Sequence, residues 1–147
     1  MTPTNVLKER QITTDGARTY RFVVFSNPVA GNEERYLDWY RGQHIHDLLR
    51  IEGFIAAQMF RLADAQYGSA PGPQRYMMVW EIRTDDLAAV FRQVNENIRN
   101  GSTVQSDAFD WDSVASMTVE PISRRVSSDE VAGRRVDEVR QLAGTAE

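Results

Sequence analysis

The order in which strand-like and helix-like segments follow one another most limits the folds that this chain can adopt. Four segments rich in β-branched and aromatic residues predict strands, and they span residues 20–26, 54–62, 75–83 and 111–122. Segments with apolar residues at helical spacing lie between the first and second strands and between the third and fourth. The predicted order is therefore β-α-β-β-α-β.

This order is the ferredoxin-like, or split βαβ, plan of an α+β protein, with two helices on one face of a four-stranded antiparallel sheet. The predicted strands are apolar on both sides, so the face that the helices leave free also needs a cover. A second copy of the same sheet is the simplest cover, because a two-fold dimer buries the same patch on both subunits. We therefore expect a homodimer, a dimeric α+β barrel, with a cavity in each half.

Turn and capping residues predict where these elements begin and end. Asn27-Pro28 ends the first strand, Asn32 caps the first helix, Gly42 breaks that helix into two pieces, and Gly53 ends it. Thr84 is expected to cap the second helix. The chain then divides into an N-terminal arm (1–19), the barrel domain (20–122) and a tail (123–147). In the tail, Ser127 or Ser128 caps a third helix that runs towards Leu142, and the tail either packs on the partner subunit or stays mobile.

Composition excludes several classes of function. The chain has 147 residues, of which 41% are hydrophobic and 26% charged, as is typical of one globular domain. A net charge of −4 and scattered arginines argue against a nucleic-acid surface. No apolar run approaches the roughly 20 residues that span a bilayer, and no signal-peptide core is present, so a cytoplasmic protein is expected. The lack of Cys excludes disulfides, Cys-ligated metals and thiol catalysis.

Residues 32–60 combine an aromatic cluster with both histidines of the chain. His44 is the leading catalytic candidate, because an imidazole titrates near neutrality and can act as a general base or acid. The alternative is that His44 caps the broken helix and bonds to a backbone carbonyl. His46 points elsewhere on a helix and is expected at the surface. An HxH metal site with Asp47 and Glu52 is disfavoured, because this spacing suits a strand better than a helix.

Tyr40 is the second catalytic candidate, because a phenol can polarise a carbonyl group; the alternative is that it anchors the helix on the sheet. Arg61 and Glu81 are expected to pair across neighbouring strands. A histidine could ligate haem, but no other feature of the sequence indicates haem binding, so no cofactor is expected. The candidate substrate-binding residues are mostly aromatic or apolar: Tyr36, Trp39, Phe22, Gln58, Phe60, Met78 and Trp80.

Residues 25–60 resemble the EthD-like group of the dimeric α+β-barrel superfamily, and the likeness extends over about residues 20–122. It rests on Asn27-Pro28, Gly31, Asp38-Trp39-Tyr40, His44, Asp47-Leu48, Gly53-Phe54, the strand 76–82 (YMMVWEI) and the helix start 84–87 (TDDL). The sequence departs from the group at His46 and Glu52, where proline is common. The resemblance implies a small homodimer with an apolar pocket between sheet and helices, and it places the motif histidine at His44.

The resemblance leaves the reaction open, because members range from cofactor-free cyclases, lactone isomerases and quinone-forming monooxygenases to haem-handling proteins. Our first hypothesis is a cofactor-independent cyclase, isomerase or lyase that acts on a small hydrophobic, aromatic or polyketide-like carbonyl compound. In it, His44 moves the proton and Tyr40 steadies the oxygen. The alternatives are a non-catalytic ligand-binding or accessory protein of a catabolic pathway, a cofactor-free or haem-linked monooxygenase, and a purely structural dimer with a filled pocket.

Overall fold

A four-stranded antiparallel sheet organises the computed structural model, which describes residues 16–144. Its strands are β1 (Arg18–Pro28), β2 (Phe54–Arg61), β3 (Tyr76–Thr84) and β4 (Phe109–Val119), in the spatial order β2-β3-β1-β4. Helices connect β1 to β2 and β3 to β4, so the α+β class and the predicted element order are confirmed, and the topology is compatible with a ferredoxin-like fold. Residues 1–15 of the expected arm lie outside the described residues.

The helical connection between β1 and β2 is continuous, so the expected break at Gly42 is wrong. Helix α1 (Glu33–Asp38) passes directly into a π-helical segment (Trp39–His44) and then into α2 (Ile45–Leu49). A π-helix widens the turn to accept an extra residue, and such segments occur frequently at functional sites. Gly42 faces open space, so nothing around it requires glycine. The connection ends where Gly53 adopts a φ of +105°.

Two helix caps differ from the expected ones. Asn32 precedes α1, but its side-chain oxygen accepts from the Arg35 guanidinium rather than from the helix backbone. Helix α3 (Leu87–Arg99) is capped by Asp86, whose carboxylate accepts from the Ala89 N–H. Thr84 instead ends β3, and its hydroxyl accepts from the Asp86 N–H. In both places a neighbouring polar side chain competes successfully with the expected cap.

Strand β1 ends at Pro28, as expected, but Asn27 and Pro28 still belong to it, because the ladder with β4 continues as far as Pro28 opposite Phe109. The register shifts between Phe25 and Asn27, which marks a bulge. Pro28 is tolerated because it stands at the last position of the strand, where a missing N–H matters little. Asn27 also accepts from the Arg75 N–H, which fastens the end of the expected surface loop (63–74) to the sheet.

The core lies on the face of the sheet that the helices cover. Trp80, Met78 and Ile82 of β3 are at most 1% exposed, and Tyr36 and Tyr40 of the helical connection are equally buried. On the same side, Phe22 of β1 packs against Phe91 of α3, with ring centroids 5.1 Å apart. The helical connection and α3 therefore leave little of the central strands uncovered on this face.

The opposite face of the sheet, here called the open face, carries the other set of alternating residues. Phe60, Met117 and Val119 are 38%, 51% and 41% exposed on or beside it. Glu81 lies 4.0 Å from the Arg21 guanidinium on this face, so the expected pairing of Glu81 with Arg61 is wrong. The predicted two-sided apolar character of the strands is thus present. The open face is covered only in part, because Val23 on it is 7% exposed while its outer apolar residues remain exposed.

The tail forms two short helices rather than the single expected one. Helix α4 (Ser128–Val131) begins at Ser127, whose hydroxyl forms the predicted cap in a capping box with Glu130. Gly133, with a φ of +76°, separates it from α5 (Val136–Ala143). Arg124 donates to the Leu142 carbonyl and so ties the start of the tail to its end. None of the helices within residues 16–144 is long and apolar enough to cross a membrane.

The two glycines that flank the helical connection differ in what they tolerate. We expect Gly53→Ala to destabilise the fold by about 1–3 kcal/mol, because a Cβ at φ +105° would be strained and would meet a Val90 methyl at 3.0 Å. Gly42→Ala is the matched control and should stabilise the fold by about 0.5–1 kcal/mol, since this helical position is open. Urea unfolding of the three proteins measures both changes. Equal effects of the two substitutions would contradict the assignment.

Candidate functional site

His44 ends the π-helical segment and lies inside a group of aromatic rings. Its imidazole stacks on Trp39, with centroids 4.4 Å apart and an interplanar angle of 25°. The rings of Tyr40 and Trp80 meet it edge-on, at 5.1 and 5.5 Å. The Nδ1 atom of His44 is buried and has no hydrogen-bond partner among residues 16–144. In the alternative interpretation His44 bonds to a backbone carbonyl, and its Nδ1 forms no such bond.

Burial lowers the pKa of His44 to about 4, and the nearby Asp47 charge opposes this effect only in part. The expectation that His44 titrates near neutrality is therefore wrong for the site as it stands. The imidazole is neutral at pH 7, so one ring nitrogen can donate a hydrogen bond and the other can accept one. A neutral imidazole is in the correct form for a general base, although a low pKa makes it a weak one.

The two candidate tyrosines are neutral phenols within the core. Burial raises the pKa of Tyr36 to about 12, although its hydrogen bond to Ser26 and the charge of Arg75 act in the opposite direction. The Tyr36 and Ser26 hydroxyl oxygens lie 2.6 Å apart, which fixes Tyr36 as an anchor of the helix on β1. Burial raises the pKa of Tyr40 further still. Both hydroxyls can therefore donate hydrogen bonds at neutral pH, and neither can act as a base.

The structure divides the expected substrate-binding residues between the two faces of the sheet. The helix-covered face holds most of the set, together with His44 and Tyr40. Gln58 and Phe60 are opposite Val79 and Met77 on the open face, because they alternate with Met59, which packs on the core. These two residues therefore do not belong to the His44 site. The members that do lie on the helix-covered face are Tyr36, Trp39, Phe22, Met78 and Trp80.

Three surface clefts stand out within residues 16–144, with volumes of about 450, 390 and 200 Å³. The largest lies between the end of β3 and the start of α3, and the smallest lies on the open face beside Phe25 and Met117. None of the three is lined by His44 or Tyr40. His44 and Trp39 are half-buried, and only the Nδ1 side of the imidazole is fully enclosed by its neighbours.

Asp47 holds the site in place, although the sequence suggested only a disfavoured metal-binding role for it. Its buried carboxylate accepts from the Gln43 amide at 2.9 Å and from the Val104 N–H at 2.9 Å. His46 is exposed, as expected, and its Nδ1 lies 3.0 Å from the same carboxylate. Burial raises the pKa of Asp47, but these hydrogen bonds outweigh it and hold the pKa below its usual range. The Gln43–Asp47 spacing of four residues was the one available sequence signal.

Val104 is the second functional residue that sequence reasoning missed. Its carbonyl oxygen accepts from the Trp39 Nε1–H at 2.8 Å, while its N–H donates to Asp47. These contacts join the helical connection to the irregular segment 101–108, which precedes β4. Because the contacts use the backbone of Val104, the identity of the side chain at that position carries no signal for them.

No family model, curated protein or solved structure matches the chain. Within residues 16–144, no group of three or more His, Asp or Glu side chains is placed to hold a metal ion. The His44 site offers one neutral imidazole with an unpartnered nitrogen, a neutral phenol beside it and a wall of indole rings.

The depressed pKa of His44 predicts how stability depends on pH. Between about pH 4 and pH 6.5 the unfolded chain binds a proton that the folded site excludes, so stability is complete above this range and falls as the pH drops through it. The full shift corresponds to about 3 kcal/mol. Urea unfolding at pH 7, 6 and 5 should show about 2 kcal/mol of this loss, because the remainder falls below pH 5, and His44→Leu should remove it.

His46→Gln is the matched control and should keep most of the slope, because it leaves the His44 imidazole in place. The Asp47 carboxylate, with its lowered pKa, loses its stabilising effect only at more acidic pH. A stability that is flat between pH 7 and pH 5, or a slope that survives in His44→Leu, would contradict the burial of a neutral His44.

Proposed function

We propose that this protein is a cofactor-independent enzyme that moves a proton on a small hydrophobic carbonyl compound, aromatic or polyketide-like in character. The observation that carries the proposal is the buried, unpartnered Nδ1 of His44 among Trp39, Tyr40 and Trp80. Leaving a buried polar atom without a partner costs about 1–3 kcal/mol, so a bound ligand that supplies the partner is favoured. The surrounding rings favour a flat, apolar ligand.

The proposed chemistry begins with loss of a proton from the carbon next to the carbonyl group. The neutral imidazole of His44 accepts this proton, and the C–H electron pair moves to give an enolate. The Tyr40 hydroxyl, which stays protonated, donates a hydrogen bond to the enolate oxygen. Return of the proton to another carbon gives an isomerisation, attack of the enolate on a second carbonyl gives a cyclisation, and loss of a β-substituent gives a lyase reaction.

We also propose that the subunit is the ferredoxin-like half of a dimeric α+β barrel of the EthD-like group. The resemblance of residues 25–60 supports this assignment, as does a sheet order compatible with that fold. The open face supports the homodimer, because a second copy that packed against it would bury the exposed Phe60, Met117 and Val119. The tail follows β4, an edge strand, and in this arrangement it would lie close to the partner.

The alternative of a non-catalytic ligand-binding protein rests on one specific observation. With a pKa of about 4, His44 is a weak base. A protein that only holds a ligand needs a hydrogen-bonding nitrogen and apolar walls, and it needs no base strength. The two functions therefore share a site and differ in whether a proton moves.

Exchange of carbon-bound protons for deuterium tests proton transfer without knowledge of the true substrate. In D2O at neutral pH, we expect the protein to accelerate exchange of the α-protons of phenylacetone, followed by NMR, because these protons adjoin a carbonyl on an aromatic scaffold. His44→Gln should reduce exchange to the buffer rate, since the base is lost. Addition of phenylacetone to the wild-type protein should also raise its melting temperature.

His46→Gln is the control and should exchange as the wild type does. A thermal shift without accelerated exchange would support the ligand-binding alternative over the enzyme. If neither effect occurs with phenylacetone or with cyclic and 1,3-dicarbonyl analogues, the proposed ligand class is wrong.

The homodimer is tested by placing a charge on the open face. Met117→Lys should convert a dimer to a monomer in light scattering at micromolar concentration, because an unpaired ammonium group would be buried between the sheets. Thr118→Lys is the matched control, since it is the next residue of β4 and points to the opposite face. A wild-type protein that is monomeric under these conditions would overturn the dimer.

A further inference from the structure

We infer that the Trp39 indole is a movable cover over His44, held closed by Val104, and that it controls ligand access to the site. This inference rests on the proposed function insofar as His44 is taken as the ligand-binding group. The cover is defined here as Trp39 together with segment 101–108. Its latch is the pair of hydrogen bonds that Trp39 and Asp47 make to the backbone of Val104.

The two side chains of the latch lie before and after His44 in the sequence. Trp39 precedes His44 by five residues and Asp47 follows it by three. The Trp39 Nε1–H donates to the Val104 carbonyl at 2.8 Å, and the Val104 N–H donates to Asp47 at 2.9 Å. The carbonyl and the N–H of Val104 are therefore both hydrogen-bonded to side chains, one before and one after His44 in the sequence. This arrangement fastens the loop across the part of the helical connection that carries the imidazole.

Trp39 is the neighbour of His44 that can move most easily. It covers a face of the imidazole at a centroid distance of 4.4 Å. Tyr40 and Trp80, the other two ring neighbours, are 1% exposed in the core and cannot leave without opening it. Trp39 is only partly buried, and it is held by an irregular segment rather than by a strand or a helix. A ligand that reaches Nδ1 therefore has its least costly route past Trp39.

Segment 101–108 carries a feature that lowers the cost of opening. Thr103 is 1% exposed, and its hydroxyl is buried without a hydrogen-bond partner among residues 16–144. Opening would let water reach this hydroxyl, which offsets part of the loss of the two latch bonds. Gly101, with a φ of +83°, provides a turn at the start of the segment. Arg35 and Asp107 add an exposed ion pair, which contributes little to closure.

The test is the rate at which diethyl pyrocarbonate modifies each histidine, read by mass spectrometry of the intact chain and its peptides. The chain contains two histidines, so the exposed His46 is an internal reference for His44. Both rates are measured at pH 7 on the full chain, without ligand. In the wild type, we expect His44 to react much more slowly than His46, because Trp39 covers its ring.

Variants of the latch should move the His44 rate in opposite directions. Trp39→Phe keeps a ring over His44 but loses the bond to Val104, so it should raise the rate about fivefold, the factor for one net hydrogen bond. Thr103→Val removes the unpartnered hydroxyl at nearly constant shape, so it should lower the rate. Trp111→Phe, at a residue 56% exposed, is the matched control and should leave the rate unchanged.

Low concentrations of urea separate local opening from unfolding. If the cover opens locally, the His44 rate should hardly change with urea until the global transition begins. The inference is overturned if His44 reacts as fast as His46 in the wild type, or if Trp39→Phe leaves the rate unchanged. It is also overturned if the rate follows the slope of global unfolding from the lowest urea concentration. Because no ligand is used, a failure of the α-proton exchange assay would leave this result standing.

Discussion

The fold depends on a match between the spacing of rings on the helical connection and on β3. Tyr36, Tyr40 and His44 recur every four residues, a rise of about 6 Å on a helix. On β3, alternate residues facing the helices recur about every 6.8 Å. The connection and β3 run in the same direction, so Tyr36 meets Tyr76 at 5.2 Å and His44 meets Trp80 at 5.5 Å. This near-equal spacing holds the connection in register on the sheet.

His44 occupies a place in this series where a purely structural protein would use an aromatic or aliphatic side chain. Three residues later, the buried carboxylate of Asp47 is supplied with donors from Gln43, Val104 and His46. The buried Nδ1 of His44 receives none. Asp47 is hydrogen-bonded and the neighbouring His44 Nδ1 is not. This difference indicates that Asp47 stabilises the fold, and it leaves the His44 nitrogen available to a ligand.

The element order, the two-sided strands and the common helix face of Tyr40 and His44 could be predicted from the sequence, because periodicity and spacing report them directly. The contact of His44 with Trp80 comes from the structure. The continuity of the helix through Gly42 could not be predicted. The helical residues before and after Gly42 pack on the sheet, and this packing outweighs the propensity cost of about 1 kcal/mol for one glycine. The sequence did not indicate which face of the sheet Gln58 and Phe60 occupy, because β2 is apolar on both sides. The pKa of His44 depends on burial, and the latch at Val104 depends on backbone atoms, so neither has a signature in the sequence.

The low pKa of His44 and its cover by Trp39 can serve the same chemistry. Burial disfavours the imidazolium, which is why the pKa of His44 falls to about 4. An enolate formed beside the ring would be an opposite charge at close range, and in a dry site this attraction is far stronger than in water. The negative charge of the enolate would then raise the pKa of His44 during the reaction. This effect would be largest when Trp39 closes over the ligand and excludes water, so that closure and proton transfer favour each other.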